Sequence, residues 1–345
     1  MSEKGNTELI QSGLERRSAP KGACLSVTDG RDLKILDYCV PPGTRQNIEW
    51  LYPHVEGKAP ASMVVHLVNG IQPGPVLCLT AAIHGDELNG IAIIRKIVDG
   101  LDPAKLAGAV VGIPVVNLDG FILHNRYISG HIDLNRCFPG DSLESYAHRV
   151  AHGIFKGIIV HCDGLVDIHT GSSLRENMVQ LRADLSCKDV AQLSAGFGNL
   201  GVMQSCAAPG TLRRAATDAG IAALTMEVGG SHGIEYDKVC TGVEGLLSLL
   251  KSYGMIGEKG FTPDSQHVYL GGGWIRAEFT GILANRVELG TVVVEGTVLA
   301  EIFDPFSSEI HLVRAPFDCT VLGRAHSQQV EVGFALFRVA MEQRS

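Results

Sequence analysis

The chain has 345 residues, 45% of them apolar and 19% charged, and its 29 Lys and Arg against 37 Asp and Glu leave a net charge of −8. This composition excludes a disordered chain, and with no long Lys/Arg run it argues against nucleic acid or an anionic membrane as partner. No stretch reaches the ~18 apolar residues of a membrane span, and the length allows one large domain or two smaller ones.

The first 22 residues, MSEKGNTELIQSGLERRSAPKG, are polar and lack the apolar core of a signal peptide. The nine cysteines are scattered and form no C-x-x-C pair, the pattern of small core residues in a reducing compartment. A cytoplasmic location is therefore expected. Residues 1–45 read as a polar N-terminal lead-in.

From about residue 62 to 255, short apolar runs alternate with helical periodicity. VLCLTAAI (76–83) is continuous and bounded by Gly and Pro, as a strand buried on both faces would be. A loop follows, then GIAIIRKIVDGL at helical spacing. AVVGIPVVN (109–117) predicts a second buried strand. Over 143–160, Ala147, Val150, Ala151, Ile154, Phe155 and Ile158 form one apolar stripe and predict a helix. GLVDIHTG (164–171) and IAALTMEVGG (221–230) predict two more strands, and VEGLLSLLKSYG (243–254) a helix that stops at Gly254. Buried strands alternating with helices indicate an α/β domain with a parallel or mixed sheet. After residue 262, WIRAEFT, GILANRVEL, VLAEIF, EIHLVRAP, CTVLGRA and FALFRVA follow at close spacing with no helical stretch between them. They predict a small all-β barrel or sandwich.

Polar chemistry gathers where the predicted strands end, which in open α/β sheets is where binding crevices form. In AIHGDELNG (82–90), His84 and Glu87 stand one turn apart, able to converge on one cation; the plainer reading is a surface His and a Glu favoured by a helix N-terminus. In LVDIHTGSS (165–173), His169 ends a strand, and Asp167 shares its face as a candidate partner for an imidazole. His84, Glu87 and His169 together make the His₂Glu donor set of a catalytic zinc, with a fourth position for water. Glu227, at the end of ALTMEVGG, is a candidate general base, or else an ion-paired structural carboxylate. HNRYISGHIDLNRCFPG (124–140) supplies Arg126 and Arg136, whose planar forks suit carboxylates and oxyanions, and Asn135, a neutral donor.

Other matches are discounted. GGSHG (229–233) fits a nucleophile elbow at Ser231 but lacks an immediate helix. GFGNLG (196–201) follows a helical stretch, the reverse of the order in a dinucleotide fingerprint. His148 and His152 flank an Arg where a zincin has its Glu.

The order AIHGDE, NRY, DLNR, DIHTG, MEVGG over residues 62–260 resembles the succinylglutamate desuccinylase/aspartoacylase family. The resemblance implies an α/β fold of zinc carboxypeptidase type, a mixed eight-stranded sheet sandwiched by helices, with a small C-terminal β domain that shapes access to the site. With the residue patterns above it gives a lead-in (1–45), a catalytic domain (46–262), zinc-dependent by the resemblance, and a β domain (263–345). It implies one Zn²⁺ per chain on His84, Glu87 and His169, with Glu227 as acid/base. Arg126 would polarise the scissile carbonyl, and Asn135 and Arg136 would grip a substrate carboxylate. Arg213 and Arg214 are further candidate contacts. ELGTVVVEGTVLAEI and VRAPFDCTVLG are also similar to the barrel-sandwich fold of biotinyl and lipoyl domains, but no Lys stands at the turn between Val293 and Gly296.

The expected activity is hydrolysis of the amide bond of a small N-acyl amino acid. The expected partners are that substrate and, in a homo-oligomer, further copies of the chain, with no nucleic acid and no membrane. A zinc carboxypeptidase acting on peptide C-termini is the alternative enzyme. A zinc-bearing binding module whose β domain does the work is the non-enzymatic one.

Overall fold

The computed structural model describes residues 32–53, 60–172, 174–231, 233–257 and 260–343; residues 1–31 of the expected lead-in, Cys24 among them, lie outside the described residues. In chain order, a hairpin of β1 (Leu33–Ile35) and β2 (Tyr38–Val40) precedes β3 (Thr44–Leu51), β4 (Ser62–Asn69), β5 (Gln72–Ala81), α1 (Asn89–Gly100) and β6 (Ala107–Ile113). Helices α2 (Leu118–Ile122) and α3 (Tyr146–Gly157) lead to β7 (Gly164–Gly171) and β8 (Arg175–Ala183). Then come α4 (Lys188–Ala195), β9 (Val202–Gln204), α5 (Leu212–Asp218), β10 (Ala222–Gly230) and α6 (Tyr236–Ser252). The elements beyond these are all strands: β11 (Val268–Arg276), β12 (Gly281–Asn285), β13 (Val292–Val293), β14 (Val298–Phe303), β15 (Ile310–Arg314), β16 (Cys319–Ala325), β17 (Gln329–Val330) and β18 (Ala335–Glu342).

Strands β3 to β10 form a mixed sheet in the order β9-β8-β10-β7-β5-β6-β4-β3. Its centre, β10-β7-β5-β6, is parallel, and β8 and β4 flank it antiparallel. The apolar runs are continuous because alternate residues of one strand enter two different cores. Val76 and Cys78 of β5, Leu165 of β7 and Ala223 of β10 pack on the side of α3 and α5. Leu77 and Leu79, Val166 and Ile168, and Leu224 and Met226 pack on the side of α1, α4 and α6. The same alternation sorts the polar residues: Thr80, Asp167, His169, Thr225 and Glu227 all share the α3/α5 side. After β5 the chain runs through α1 to β6 on one flank, then crosses to β7 on the other. The carboxyl ends of β5 and β7 thus border a topological switch point, where α/β sheets open a crevice.

Two elements differ from the sequence expectation. The strand expected over 109–117 ends at Ile113, because Val116 and Asn117 turn to donate backbone hydrogen bonds to Ala81 and Ala82 (3.0 Å each). Asn117 then caps α2 by accepting from the Gly120 amide at 2.9 Å. β8 carries no continuous apolar run, since polar residues interrupt it throughout (RENMVQLRA); its polar positions become important at the site.

The C-terminal strands lie in two layers over a third core that includes Leu299, Val321, Leu336 and Phe337. One layer, β15-β14-β12-β17, is a separate four-stranded sheet. The other continues the central sheet, with β11 pairing parallel to β9 (Tyr269 opposite Met203) and β16 pairing antiparallel to β8 (Arg324 opposite Glu176). Trp274 and Arg276 of β11 are thereby carried to the wall of the crevice.

The loop after β5 is held by backbone-to-backbone packing. A Cβ on Gly85 would lie 2.0 Å from the carbonyl carbon of Gly120 and 2.1 Å from the Phe121 amide. Gly85→Ala must therefore displace either α2 or the His84–Glu87 turn. We expect it to cost about 1–3 kcal/mol in urea unfolding, the range of overpacking, and to weaken divalent-metal binding in the same protein. Unchanged values for both would contradict this packing.

Candidate active site

At the switch point, Glu87 sits between two imidazoles. Its Oε1 lies 2.8 Å from Nδ1 of His84 and its Oε2 lies 3.0 Å from Nδ1 of His169. The Thr170 amide donates to the same Oε2 at 2.9 Å. One donor atom from each of the three residues falls within 4.8 Å of the others, and all three side chains are buried. The far side of each ring is also held: Nε2 of His84 faces Asp133 Oδ1 at 3.2 Å, and Nε2 of His169 faces Asp167 Oδ2 at 2.8 Å. Thr80 in turn donates to Asp167 at 2.7 Å. A carboxylate on Nε2 fixes the ring proton there and turns the Nδ1 lone pair toward the shared space, as a metal site requires. These residues fit a metal such as zinc: two imidazole nitrogens and a carboxylate oxygen, each oriented from behind.

Charge counting agrees. Glu87, Asp133 and Asp167 touch the rings, and Arg126 adds one positive charge, 2.9 Å from Asp133 and 3.6 Å from Glu87. The deficit of two is closed either by a second proton on each imidazole or by one divalent cation. Without a metal, burial disfavours the charged rings, but the neighbouring carboxylates outweigh it: Glu87 and Asp133 raise the pKa of His84, and Asp167 and Glu87 hold that of His169 well above its usual value. Burial likewise acts to raise the carboxyls of Glu87 and Asp133. The imidazoles, joined by Arg126 at Asp133, pull both below the usual carboxylate range.

The remaining candidates line the same cavity of about 500 Å³. Glu227 is opposite His169 in the β10–β7 register, so the two side chains share a face. Asn177 donates to its Oε2 at 2.8 Å, and Arg182 Nε lies 3.2 Å from its Oε1. Arg126 stands beside the triad, held by Asp133. Asn135 Oδ1 accepts from the Leu212 amide at 2.9 Å, tying the 124–140 loop to the start of α5. Arg136 is exposed at the cavity edge, and its guanidinium donates to the Asn135 carbonyl at 2.6 Å. Arg213 lines the cavity, where burial pushes its pKa down to about 10. Arg214 does not: it lies on the outer side of α5 and pairs with Asp218 at 2.7 Å. Ser231 is not among the cavity-lining residues.

Sequence reasoning gave no role to Asp133, Arg175, Asn177, Arg182, Trp274 or Arg276. Asp133 was in view, inside DLNR, but only the loop geometry shows that one carboxylate holds His84, Arg126 and the Asn135 amide at once. Among the described residues, six arginines (126, 136, 175, 182, 213 and 276) and two carboxylates, Glu87 and Glu227, line the cavity. Such a cavity favours an anion.

The profile of the succinylglutamate desuccinylase/aspartoacylase catalytic domain matches residues 73–253. An N-alpha-acetyl-L-2,4-diaminobutyric acid deacetylase from Halomonas elongata is 25% identical over 287 residues, covering 77% of this chain and 82% of that protein. A succinylglutamate desuccinylase/aspartoacylase from Rhodobacter sphaeroides superposes with a TM-score of 0.77 at 22% identity, covering 87% of this chain and 96% of the other. The product-bound ectoine utilization protein EutE (DoeB) from Ruegeria pomeroyi does so with a TM-score of 0.77 at 19% identity, covering 88% and 97%. The α/β fold with its C-terminal β portion is the fold of these structures.

The site's proton chemistry has a sign. The protonated rings stabilise the metal-free chain below pH about 6.5, and this contribution is lost as pH rises through their raised pKa values. A metal must displace those protons, so its affinity strengthens over the same rise. Melting curves with chelator should therefore show falling stability above pH about 6.5, while the added Tm from zinc grows. A zinc increment independent of pH would contradict the proposed displacement.

Proposed function

The chain belongs to the succinylglutamate desuccinylase/aspartoacylase family, and we propose that it is a zinc-dependent deacylase cleaving the amide bond of a small, carboxylate-bearing N-acyl amino acid. One observation carries this reading: a buried His₂Glu donor set, His84 and Glu87 from the loop after β5 and His169 from β7, lines one arginine-rich cavity with Glu227, which shares the face of His169 on the adjacent strand. We further read the eight-stranded body as zinc carboxypeptidase-like, with the catalytic domain ending near 262 and the strands from 263 onward forming the β domain. The eight described cysteines, all unpaired, support a cytoplasmic location.

His84, Glu87 and His169 would hold one zinc ion, which when bound polarises a carbonyl and lowers the pKa of water to about 7. Arg126, which Asp133 steadies at 2.9 Å, would receive the negative charge that develops on the carbonyl oxygen. Glu227 takes the proton of the attacking water at a carboxylate oxygen and returns it to the leaving nitrogen. Asn177 and Arg182 fix its orientation. Arg136, with the Asn135 amide beside it, grips a substrate carboxylate at the cavity edge. Trp274, Arg276 and Ala335 of the C-terminal part wall the cavity, whose volume of about 500 Å³ is of the size that holds a small acyl amino acid.

Glu227→Gln should lower kcat about 10²–10⁴-fold with bound zinc unchanged. Arg126→Ala should lower kcat about 10²–10³-fold, whereas Arg136→Ala should chiefly raise KM. A panel of N-acyl amino acids with di- and tripeptides, run with chelator and with zinc restored, checks the class. Preference for peptides would favour a carboxypeptidase, and activity that survives the chelator would overturn the zinc reading.

A further inference from the structure

Four of the six cavity arginines have settled partners or duties. Arg126 is paired with Asp133, and Arg182 with Glu227. Arg213 donates to the Arg182 carbonyl and to Ser205. Arg136 stands with Asn135, where the proposed function places the substrate carboxylate. Arg175 and Arg276 remain: Arg175 donates to the Ser172 hydroxyl at 3.4 Å and Arg276 to the Gly333 carbonyl, both are set at the cavity's outer wall, and among the described residues neither is within ion-pair distance of a carboxylate.

Their setting is built rather than incidental. Arg175 opens β8, and its guanidinium lies over the rings of Trp274 (5.6 Å) and Phe334 (5.3 Å). Aromatic faces hold the plane of a guanidinium without neutralising it, and apart from the long contact to Ser172 its N–H edge is left for a ligand. Arg276 is two residues from Trp274 on β11, and although the pairing with β18 shifts register between Ile275 and Arg276, both side chains line the cavity. Its Nη1 donates to the Gly333 carbonyl at 2.8 Å, which pins it at the rim. Three segments distant in sequence meet here, because β11 joins the central sheet through β9. Burial and the nearby charges of Arg126 and Arg276 lower the pKa of Arg175, so the cluster gains from any anion that enters. The Trp274 ring beside the two cations offers apolar contact to a short methylene chain.

We infer that Arg175 and Arg276, backed by Trp274, form a second anion subsite for a second carboxylate of the substrate, so that the preferred ligand is a dicarboxylate without a cationic group. This inference rests on the proposed function for the identity of the first subsite. The relative from Halomonas elongata is named for a diaminobutyric acid derivative, whose side-chain nitrogen, when charged, these arginines would repel.

The test is equilibrium binding to the zinc-loaded full chain, with glutarate and butyrate as probes, since they differ chiefly in the second carboxylate. Glutarate should bind at least about 10-fold more tightly, the order expected of one added charge-assisted contact. Arg276→Gln, at the surface, and Arg175→Lys, which keeps the charge but loses the fork, should each bring that ratio down about threefold or more. In turnover, the same variants should erode the preference for N-acetylglutamate over N-acetyl-2,4-diaminobutyrate. Equal affinities in the wild type, or ratios untouched by both variants, would overturn the subsite. Should the protein bind glutarate as expected yet hydrolyse no N-acyl amino acid, the deacylase reading fails while the subsite stands.

Discussion

The Glu87 carboxylate between two imidazoles is the contact around which the rest of the molecule is arranged. It is almost wholly buried, and a lone carboxylate there would be costly. Its cost is met by His84 and His169, whose charge or bound cation it balances, and by the Thr170 amide. Each imidazole then requires its own support, which comes from Asp133 on one side and Asp167 on the other. The charge deficit of this cluster is two, so removing any one carboxylate unbalances both the metal-free and the metal-loaded state. That is a stronger constraint than donor identity alone, and it ties the 124–140 loop, the end of β5 and the whole of β7 to a single requirement.

The sheet serves that requirement by its alternation. Even-numbered positions of β7 and β10 bury Val166, Ile168, Leu224 and Met226 against α1, α4 and α6. Odd-numbered positions present Asp167, His169, Thr225 and Glu227 to the other side. A one-residue slip in either strand would exchange the two sets, placing carboxylates in an apolar core. The same strands that make the core thus fix which groups meet in the cavity. The C-terminal strands extend the sheet instead of sitting apart, and so they can place Trp274 and Arg276 opposite β8.

What was legible in the sequence follows from this. His84, His169 and Glu227 stand at the ends of apolar runs too long and too well bounded to be anything but buried strands, so their convergence could be argued without coordinates. Helix α3 was legible through its stripe, and Ser145 marks its start by accepting from the His148 amide. β8 was not: its many polar residues (RENMVQLRA) look like a surface segment, and Asn177 and Arg182 acquire meaning only through antiparallel pairing with β10. Arg213 and Arg214 looked equivalent in sequence, but successive helical residues point about 100° apart; α5 turns Arg213 into the cavity and Arg214 outward to Asp218. Trp274 and Arg276 depended on the non-local pairing of β11 with β9, which no local pattern encodes.

We propose that this cluster holds one divalent metal through His84, Glu87 and His169. Calorimetric titration of the chelator-treated full chain with Zn²⁺ tests it most directly. One zinc per chain is expected, with proton release that diminishes as pH rises, and the site should be lost in a His84→Ala/His169→Ala double variant that still melts cooperatively. Undiminished one-to-one binding in that folded variant would contradict the account.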